Sequence, residues 1–370
     1  MKFVADRSTL LPALKRAASV APRANTIPIL SHCLIEARKS RLTIMATDLD
    51  RAIVVSLDAQ VETPGRTTVD VRLLTQFVAG LADGGQVEMA LADPHLKVRG
   101  GRARASFPVL DPKDFPQMVP PGPTAALALE GKAFADQLAS VGHAQSNEQT
   151  RYYLNGIYLH RRTARELVAV ATNGHVLART VLTVAEDLPE FPGAIVPRET
   201  VAELIALAEE AGTMVVEIGE TMLRAEAGDT VLTSKLVDGT FPDYERVIPP
   251  ADIRTGFDVG REALTQAVKR VGVFATEKSK SRPVRFTPEG RTVALLGRSD
   301  GEGEISDEID AQGTAGADPV GMNARYVLAA LESLGGTDTQ IRYANAGAPI
   351  VFTDPAEPSR LQIVMAMRTR

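Results

Sequence analysis

Three kinds of segment recur in the same order along the 370 residues, at a spacing on the order of 125 residues, and that repetition constrains the fold more than any other feature. The first is an amphipathic helix. Leu10, Leu14 and Ala17 correspond to Phe134, Leu138 and Val141, and these to Leu264, Val268 and Val271. Each set is spaced i, i+4, i+7, which places an apolar stripe on one helix face. A small residue follows each set: Ala18, Gly142 or Gly272.

The second segment is a strand running into a polar turn: LTIMATD at 42 to 48, LVAVATN at 167 to 173 and VALLGRS at 293 to 299. Alternation and β-branched residues suit a half-buried strand. The third is another helix, carried by Leu74, Phe77, Val78 and Leu81, then Val201, Leu204, Ile205 and Ala208, then Val327, Ala330, Leu331 and Leu334. Its expected ends are Gly84/Gly85, Gly212 and Gly335/Gly336, because glycine commonly closes helices.

Proline-rich seams separate the copies. Phe115-Pro116 precedes Pro120-Pro121, and Phe241-Pro242 precedes Pro249-Pro250; proline continues neither a helix nor a sheet ladder. The expected modules are therefore 1–121, 122–250 and 251–370. Each should hold two helices and about eight short strands, an α+β arrangement with helices on one face of an antiparallel sheet.

Three such modules in series make an arc, and two arcs close into a ring if the third module of one chain meets the first module of another. Charge provides a means. Lys97, Arg99, Arg102 and Arg104 alternate along an expected strand in the first module, whereas Asp300, Glu302, Glu304, Asp307, Glu308 and Asp310 form an acidic run in the third. Opposite charges on two edge strands would steer their pairing. The alternative is that both are solvated edges protected by charge.

A net charge of −5 excludes a protein that coats nucleic acid with its whole surface, since phosphate contacts come from Lys and Arg. Basic residues are instead concentrated in Lys2, Arg7, Lys15, Arg16 and Arg23, and again across residues 261 to 285. The single Cys33 allows no internal disulfide and no thiolate zinc site. The sequence also shows no secretory leader and no apolar run of about 18 residues. A cytoplasmic location without membrane attachment is the expectation.

Catalytic motifs are absent from the sequence. It contains no Gly-rich phosphate loop, no HExxH and no GxSxG, and the five histidines are scattered. His175 follows an Asn-Gly turn with no nucleophile or carboxylate nominated beside it. Cys33 opens an apolar LIEA strand and reads as a buried thiol. No enzyme, cofactor or metal site is expected.

TRYYLNG at 150 to 156, ATNGH at 171 to 175 and TSKLVDGTFPDYERVIP at 233 to 249 resemble the bacterial sliding clamp family, the DNA polymerase III beta subunits. TIPIL at 26 to 30, ATDLD at 46 to 50, Pro197-Arg198, EKSK at 277 to 280 and VMAMR at 364 to 368 fit the same family in the same order. The likeness spans essentially the whole chain. It implies a head-to-tail homodimeric ring around duplex DNA that tethers the replicative polymerase. The clamp loader, other polymerases and repair proteins would bind through short linear motifs.

The resemblance also implies site residues. DNA contacts map onto Arg23, Arg72, Tyr152, Tyr153, Arg198 and Lys235. A hydrophobic peptide pocket would be lined by Leu154, Thr172, Gly174, His175, Leu177, Pro242, Val247, Pro349, Ile363, Met365 and Met367, with Arg151 and Arg246 at the rim. The ring joint would use Arg99, Arg102, Arg104, Phe107, Val273, Phe274, Asp300, Glu302 and Glu304.

Several positions depart from the family pattern. Ala24 and Glu199 stand where a base is frequent, Val176 where a basic residue is common, Ala366 between Met365 and Met367 where proline is usual, and Ala105 where Phe is frequent. Ala24, Val176, Glu199 and Ala366 leave open a specialised paralogue, serving a translesion polymerase or inhibitor resistance, and Ala105 implies a weaker joint.

Overall fold

A computed structural model describes residues 1–24, 26–119, 122, 124–274, 283–299 and 303–368. The first repeat comprises β1 (Lys2–Asp6), α1 (Arg7–Val20), β2 to β6 (His32–Arg38, Arg41–Thr47, Arg51–Asp58, Gln60–Thr63, Gly65–Asp70), α2 (Val71–Ala79) and β7 to β9 (Gln86–Ala92, His95–Gly100, Ala103–Pro108). The second comprises β10 (Ala125–Glu130), α3 (Gly131–Gly142), β11 to β14 (Gly156–Thr163, Glu166–Thr172, Val176–Thr183, Ala194–Pro197), α4 (Arg198–Glu210) and β15 to β17 (Thr213–Ile218, Met222–Ala227, Thr230–Lys235). The third comprises β18 (Gly256–Gly260), α5 (Arg261–Val271), β19 to β22 (Pro283–Glu289, Thr292–Ser299, Gly303–Asp310, Val320–Asn323), α6 (Ala324–Ser333) and β23 to β25 (Asp338–Arg342, Ile350–Thr353, Arg360–Val364). Each repeat thus carries two helices and antiparallel strands in the expected order.

The periodicities translate directly into burial. Leu10, Leu14 and Ala17 on α1 are sealed from solvent, as are Leu42, Ile44 and Ala46, the alternate residues of β3. They meet because α1 packs on β3 and β4 beside α2. Asp70 starts α2 by accepting from the Leu73 N–H at 2.9 Å, a side-chain cap for an otherwise orphaned donor. Asn323 does the same for α6 through the Arg325 N–H. The second helices end before the marked glycines. α2 stops at Ala79, with the Gly80 N–H shared between the Gln76 and Phe77 carbonyls in a tightened last turn, while α4 stops at Glu210 and α6 at Ser333.

Sheet pairing does not respect the repeat seams. One eight-stranded sheet runs β10-β15-β16-β17-β4-β3-β2-β6 and the other β14-β11-β12-β13-β25-β24-β23-β18. The β17–β4 ladder joins the second repeat to the first, and the β13–β25 ladder joins the second to the third. A five-stranded sheet, β5-β1-β7-β8-β9, and a four-stranded sheet, β21-β20-β19-β22, complete the set. The chain accordingly forms two compact units, Met1–Lys132 with Ala202–Leu236, and Ala133–Val201 with Val237–Arg370. Each unit contains one eight-stranded sheet and one smaller sheet.

The basic run in the first repeat is not one strand. Lys97 and Arg99 lie on β8, Arg102 lies in a turn with Gly101 at φ +59°, and Arg104 lies on β9. Gly101 adopts the left-handed backbone that an L side chain resists, so the chain reverses there. β9 and β21 are edge strands of their sheets among the described residues. Of the acidic run, Glu304 to Asp310 belong to β21; Asp300 and Glu302, like the EKSK segment, lie outside the described residues.

Candidate functional site

Within the second unit, three pieces of chain enclose a cavity of about 300 Å³. The β12–β13 hairpin supplies Thr172, Gly174, Val176 and Leu177; the stretch after β17 supplies Pro242, Asp243, Tyr244 and Val247; the end of β25 supplies Ile363 and Met365. The hairpin turn is built locally. Asn173 Oδ1 accepts from the His175 and Val176 N–H groups at 2.9 and 3.0 Å, and Thr172 Oγ1 donates to the Val176 carbonyl at 2.7 Å. Gly174 has φ +86°, and a Cβ there would stand 2.8 Å from Arg151 Nη1. That guanidinium therefore lies over the turn, paired with Glu148 at 2.9 Å.

The β13–β25 register places Leu177 opposite Ile363, and the Met365 N–H donates to the His175 carbonyl at 2.9 Å. Beneath the opening, Leu154, Leu177, Ile363 and Tyr244 pack with Val168, Val170, Ile195 and Phe241. The floor is thus apolar and already formed.

Seven residues of the expected pocket line this cavity: Thr172, Gly174, Leu177, Pro242, Val247, Ile363 and Met365. Leu154 lies in its floor. His175 and Met367 instead line an adjoining groove of about 450 Å³ with Asn323, Tyr326, Met365 and Ala366. There His175 stacks on Tyr326 with centroids 6.0 Å apart. Arg246 is an exposed rim residue, paired with Asp243 at 2.8 Å. Pro349, just ahead of β24, lines neither cavity. Tyr244 and Asp243 were not expected in the wall, although both sit inside the 233–249 motif. Burial, reinforced by neighbouring Glu245, pushes the Tyr244 phenol up to about 12.

The residues expected to meet DNA are held differently. Tyr152 is 53% exposed and meets Tyr153 edge-on, with centroids 5.9 Å apart; its free face is what stacking on a base requires. Arg23 and Arg198 are exposed. Lys235 is tied to Asp50 at 2.9 Å. Arg72 is half-buried and donates to the Ala21 carbonyl at the end of α1, at 2.5 Å.

Of the expected joint residues, Arg99, Arg102, Arg104 and Glu304 are exposed, and so is Val273 at 61%. Phe107 is half-buried, edge-on to Phe77 with centroids 6.0 Å apart. The side chain of Phe274 lies outside the described residues, as do Asp300 and Glu302.

Among the described residues there is no group of three or more His, Cys, Asp or Glu that could hold a metal ion. Cys33 is fully buried, and burial pushes its thiol up to about 12. No helix of the described residues is long and apolar enough to cross a membrane.

Comparison with known proteins matches the chain to the DNA polymerase III beta subunit in all three of that family's domains: N-terminal over residues 1–119, central over 128–243 and C-terminal over 245–368. It is 36% identical over 376 residues to the beta sliding clamp of Caulobacter vibrioides, covering 100% of both chains. The structure of a DNA polymerase sliding clamp from Caulobacter crescentus superposes with a TM-score of 0.93 at 36% identity, covering 100% of both. That of a Bartonella birtlesii sliding clamp bound to griselimycin does so with a TM-score of 0.94 at 33% identity, again over 100% of both.

Proposed function

The chain belongs to the DNA polymerase III beta subunit family and is a DNA sliding clamp; from that premise we propose that two copies close head to tail into a ring around duplex DNA and catalyse no reaction. The observation that carries this reading is the likeness over the full length, through all three family domains. Each protomer is divided near residues 121 and 250, and the basic edge β9 of one copy meets the acidic edge β21 of the other. The ring works in the cytoplasm as a topological tether. Arg23, Arg72, Tyr152, Tyr153, Arg198 and Lys235 make weak, sequence-blind contacts that permit sliding, because few phosphate contacts give only salt-sensitive attraction.

The cavity between Leu177, Pro242, Val247 and Met365 takes short apolar segments of the replicative polymerase, the clamp loader, and other polymerases and repair proteins. A preformed apolar floor needs little polar chemistry to hold such a peptide. Methionine adapts to different occupants because its unbranched thioether repacks readily. A Bartonella birtlesii relative is bound to griselimycin, and in this chain the same ligand would enter this cavity.

The test is to load the protein with a clamp loader onto nicked circular DNA and then cut the circle. A ring stays on closed circles in high salt and leaves cut ends. Loss from circles and linear DNA alike at that salt defeats the topological reading.

A further inference from the structure

Pro242, Asp243, Tyr244 and Val247 reach the pocket on a stretch between β17 and β18 whose regular structure is a single 3-10 turn, Tyr244–Val247. No ladder pairs this stretch with a strand among the described residues. Beyond the backbone anchor of the Val237 N–H on the Ile195 carbonyl at 2.9 Å, side chains hold it, and two of them dock on β11. Phe241 stacks on Tyr158 with centroids 4.8 Å apart and planes 6° from parallel. Tyr158 stacks on His160 at 5.2 Å, and the His160 ring meets Tyr244 at 5.8 Å. Tyr158 and His160 are two apart on one strand and so share a face. Gly193 leaves room for the column, since a Cβ there would stand 2.1 Å from Tyr158 Oη.

The column ends in a directional hydrogen bond. His160 Nδ1 lies 3.3 Å from the Arg161 carbonyl, which only accepts, so Nδ1 carries the proton. Nε2 then accepts from the Tyr244 hydroxyl at 2.9 Å. The other acceptor near that hydroxyl, Glu245 Oε1, is 3.5 Å away. Tyr244 is thus a wall of the pocket on one side and bonded to an imidazole on the other.

We propose that His160, outside the cavity, is a positioning residue of the peptide pocket: its bond to Tyr244 Oη fixes the tyrosine wall and the Pro242–Val247 stretch, and with them the affinity for an apolar ligand. The inference rests on the pocket reading above.

It predicts a pH signature. Burial lowers the His160 imidazole from its ordinary value of 6.5; the Arg161 carbonyl and Glu245 oppose that shift, and Arg162 on β11 and Arg179 on β13 reinforce it. The remaining neighbours, Tyr158 and Tyr244, stay neutral, both raised by burial. Protonation would place a hydrogen on Nε2 and turn the acceptor into a donor, so the Tyr244 hydroxyl would have to swing toward Glu245. Affinity is therefore constant above pH 6.5 and declines below it.

The experiment is calorimetric titration of the full chain with griselimycin between about pH 5.5 and 8. His160→Ala should weaken binding about five- to tenfold, the worth of one hydrogen bond. His160→Gln, which keeps an acceptor, should stay within about twofold of the parent and lose the acid decline. Tyr244→Phe should match His160→Ala, and the double variant should be no weaker than either single one, because both remove one interaction. Unchanged affinity in His160→Ala, or losses that add, overturns the proposal. If His160→Ala fails to fold, His160→Gln decides alone: an acid decline identical to the parent's overturns it. Val247→Arg tests the pocket separately. Binding by that variant as tight as the parent's means griselimycin lies elsewhere, a failure of the pocket reading that leaves the His160 question distinct.

Discussion

Arg99 on β8 and Arg104 on β9 stand directly opposite each other in the antiparallel ladder, on a hairpin whose outer strand is a sheet edge. Like charges in that relation cost about 0.2–1 kcal/mol. On β7, Glu88 is opposite Arg99, which relieves one side; Arg104 faces the open edge. On β21, Asp307 is already engaged by Arg270 at 2.5 Å, whereas Glu304 is exposed and only 3.7 Å from Arg298.

Reversing Arg104 should accordingly weaken the joint. Arg104→Glu is expected to raise the dimer dissociation constant at least about tenfold in sedimentation velocity at low salt. Mixing it with chains carrying Glu304→Arg should restore association. Equal dissociation of parent and Arg104→Glu chains would place the joint elsewhere.

Ala105, half-buried opposite Val98 on the same hairpin, would bury less apolar area at the proposed joint than a phenylalanine, a difference of about 1–3 kcal/mol per joint. The ring should therefore dissociate on dilution, and Ala105→Phe should tighten it. A parent ring still intact at nanomolar concentration in the ultracentrifuge would contradict this expectation.

On the proposed DNA face Lys235 would contribute less attraction than an unpaired lysine, because Asp50 holds it at 2.9 Å. Asp50→Asn should steepen the dependence of log K on log salt by up to about 0.9, one released phosphate contact. Tyr152→Ala should instead weaken binding to primer-template ends with single-stranded bases, by about 1–3 kcal/mol, and leave duplex affinity nearly unchanged. Fluorescence anisotropy over a salt series separates the two effects.

Acid should destabilise the protein before its carboxylates titrate. Burial lowers His143 from 6.5 to about 4, so the unfolded chain binds that proton more readily than the folded one. The stability held by the neutral imidazole is complete above pH 6.5 and is lost as pH falls toward about 4. Urea midpoints measured across that window should drop for the parent and drop less for His143→Gln.

The repeat was legible because its signals are local. Leu10, Leu14 and Ala17 declare one helix face, and Leu42, Ile44 and Ala46 one strand face, without reference to anything distant. Lys97 to Arg104 misled for the same reason. Alternation persists through a tight turn, and only the backbone reversal at Gly101 shows that two strands are present. In the pocket, family motifs mark Thr172, Gly174 and Met365, whereas Tyr244 lies inside the 233–249 motif with no separate signal of its own.

Composition and period by themselves determined three α+β modules in series, each with two helices over antiparallel strands, because burying an apolar stripe depends on spacing within about a dozen residues. Tertiary structure alone decided that sheets would cross the seams through β17–β4 and β13–β25. It alone placed His160 against Tyr244, 84 positions away. Ladder partners and side-chain bonds between distant segments are selected by which edges and cavities meet in the packed chain, and no local pattern encodes that choice.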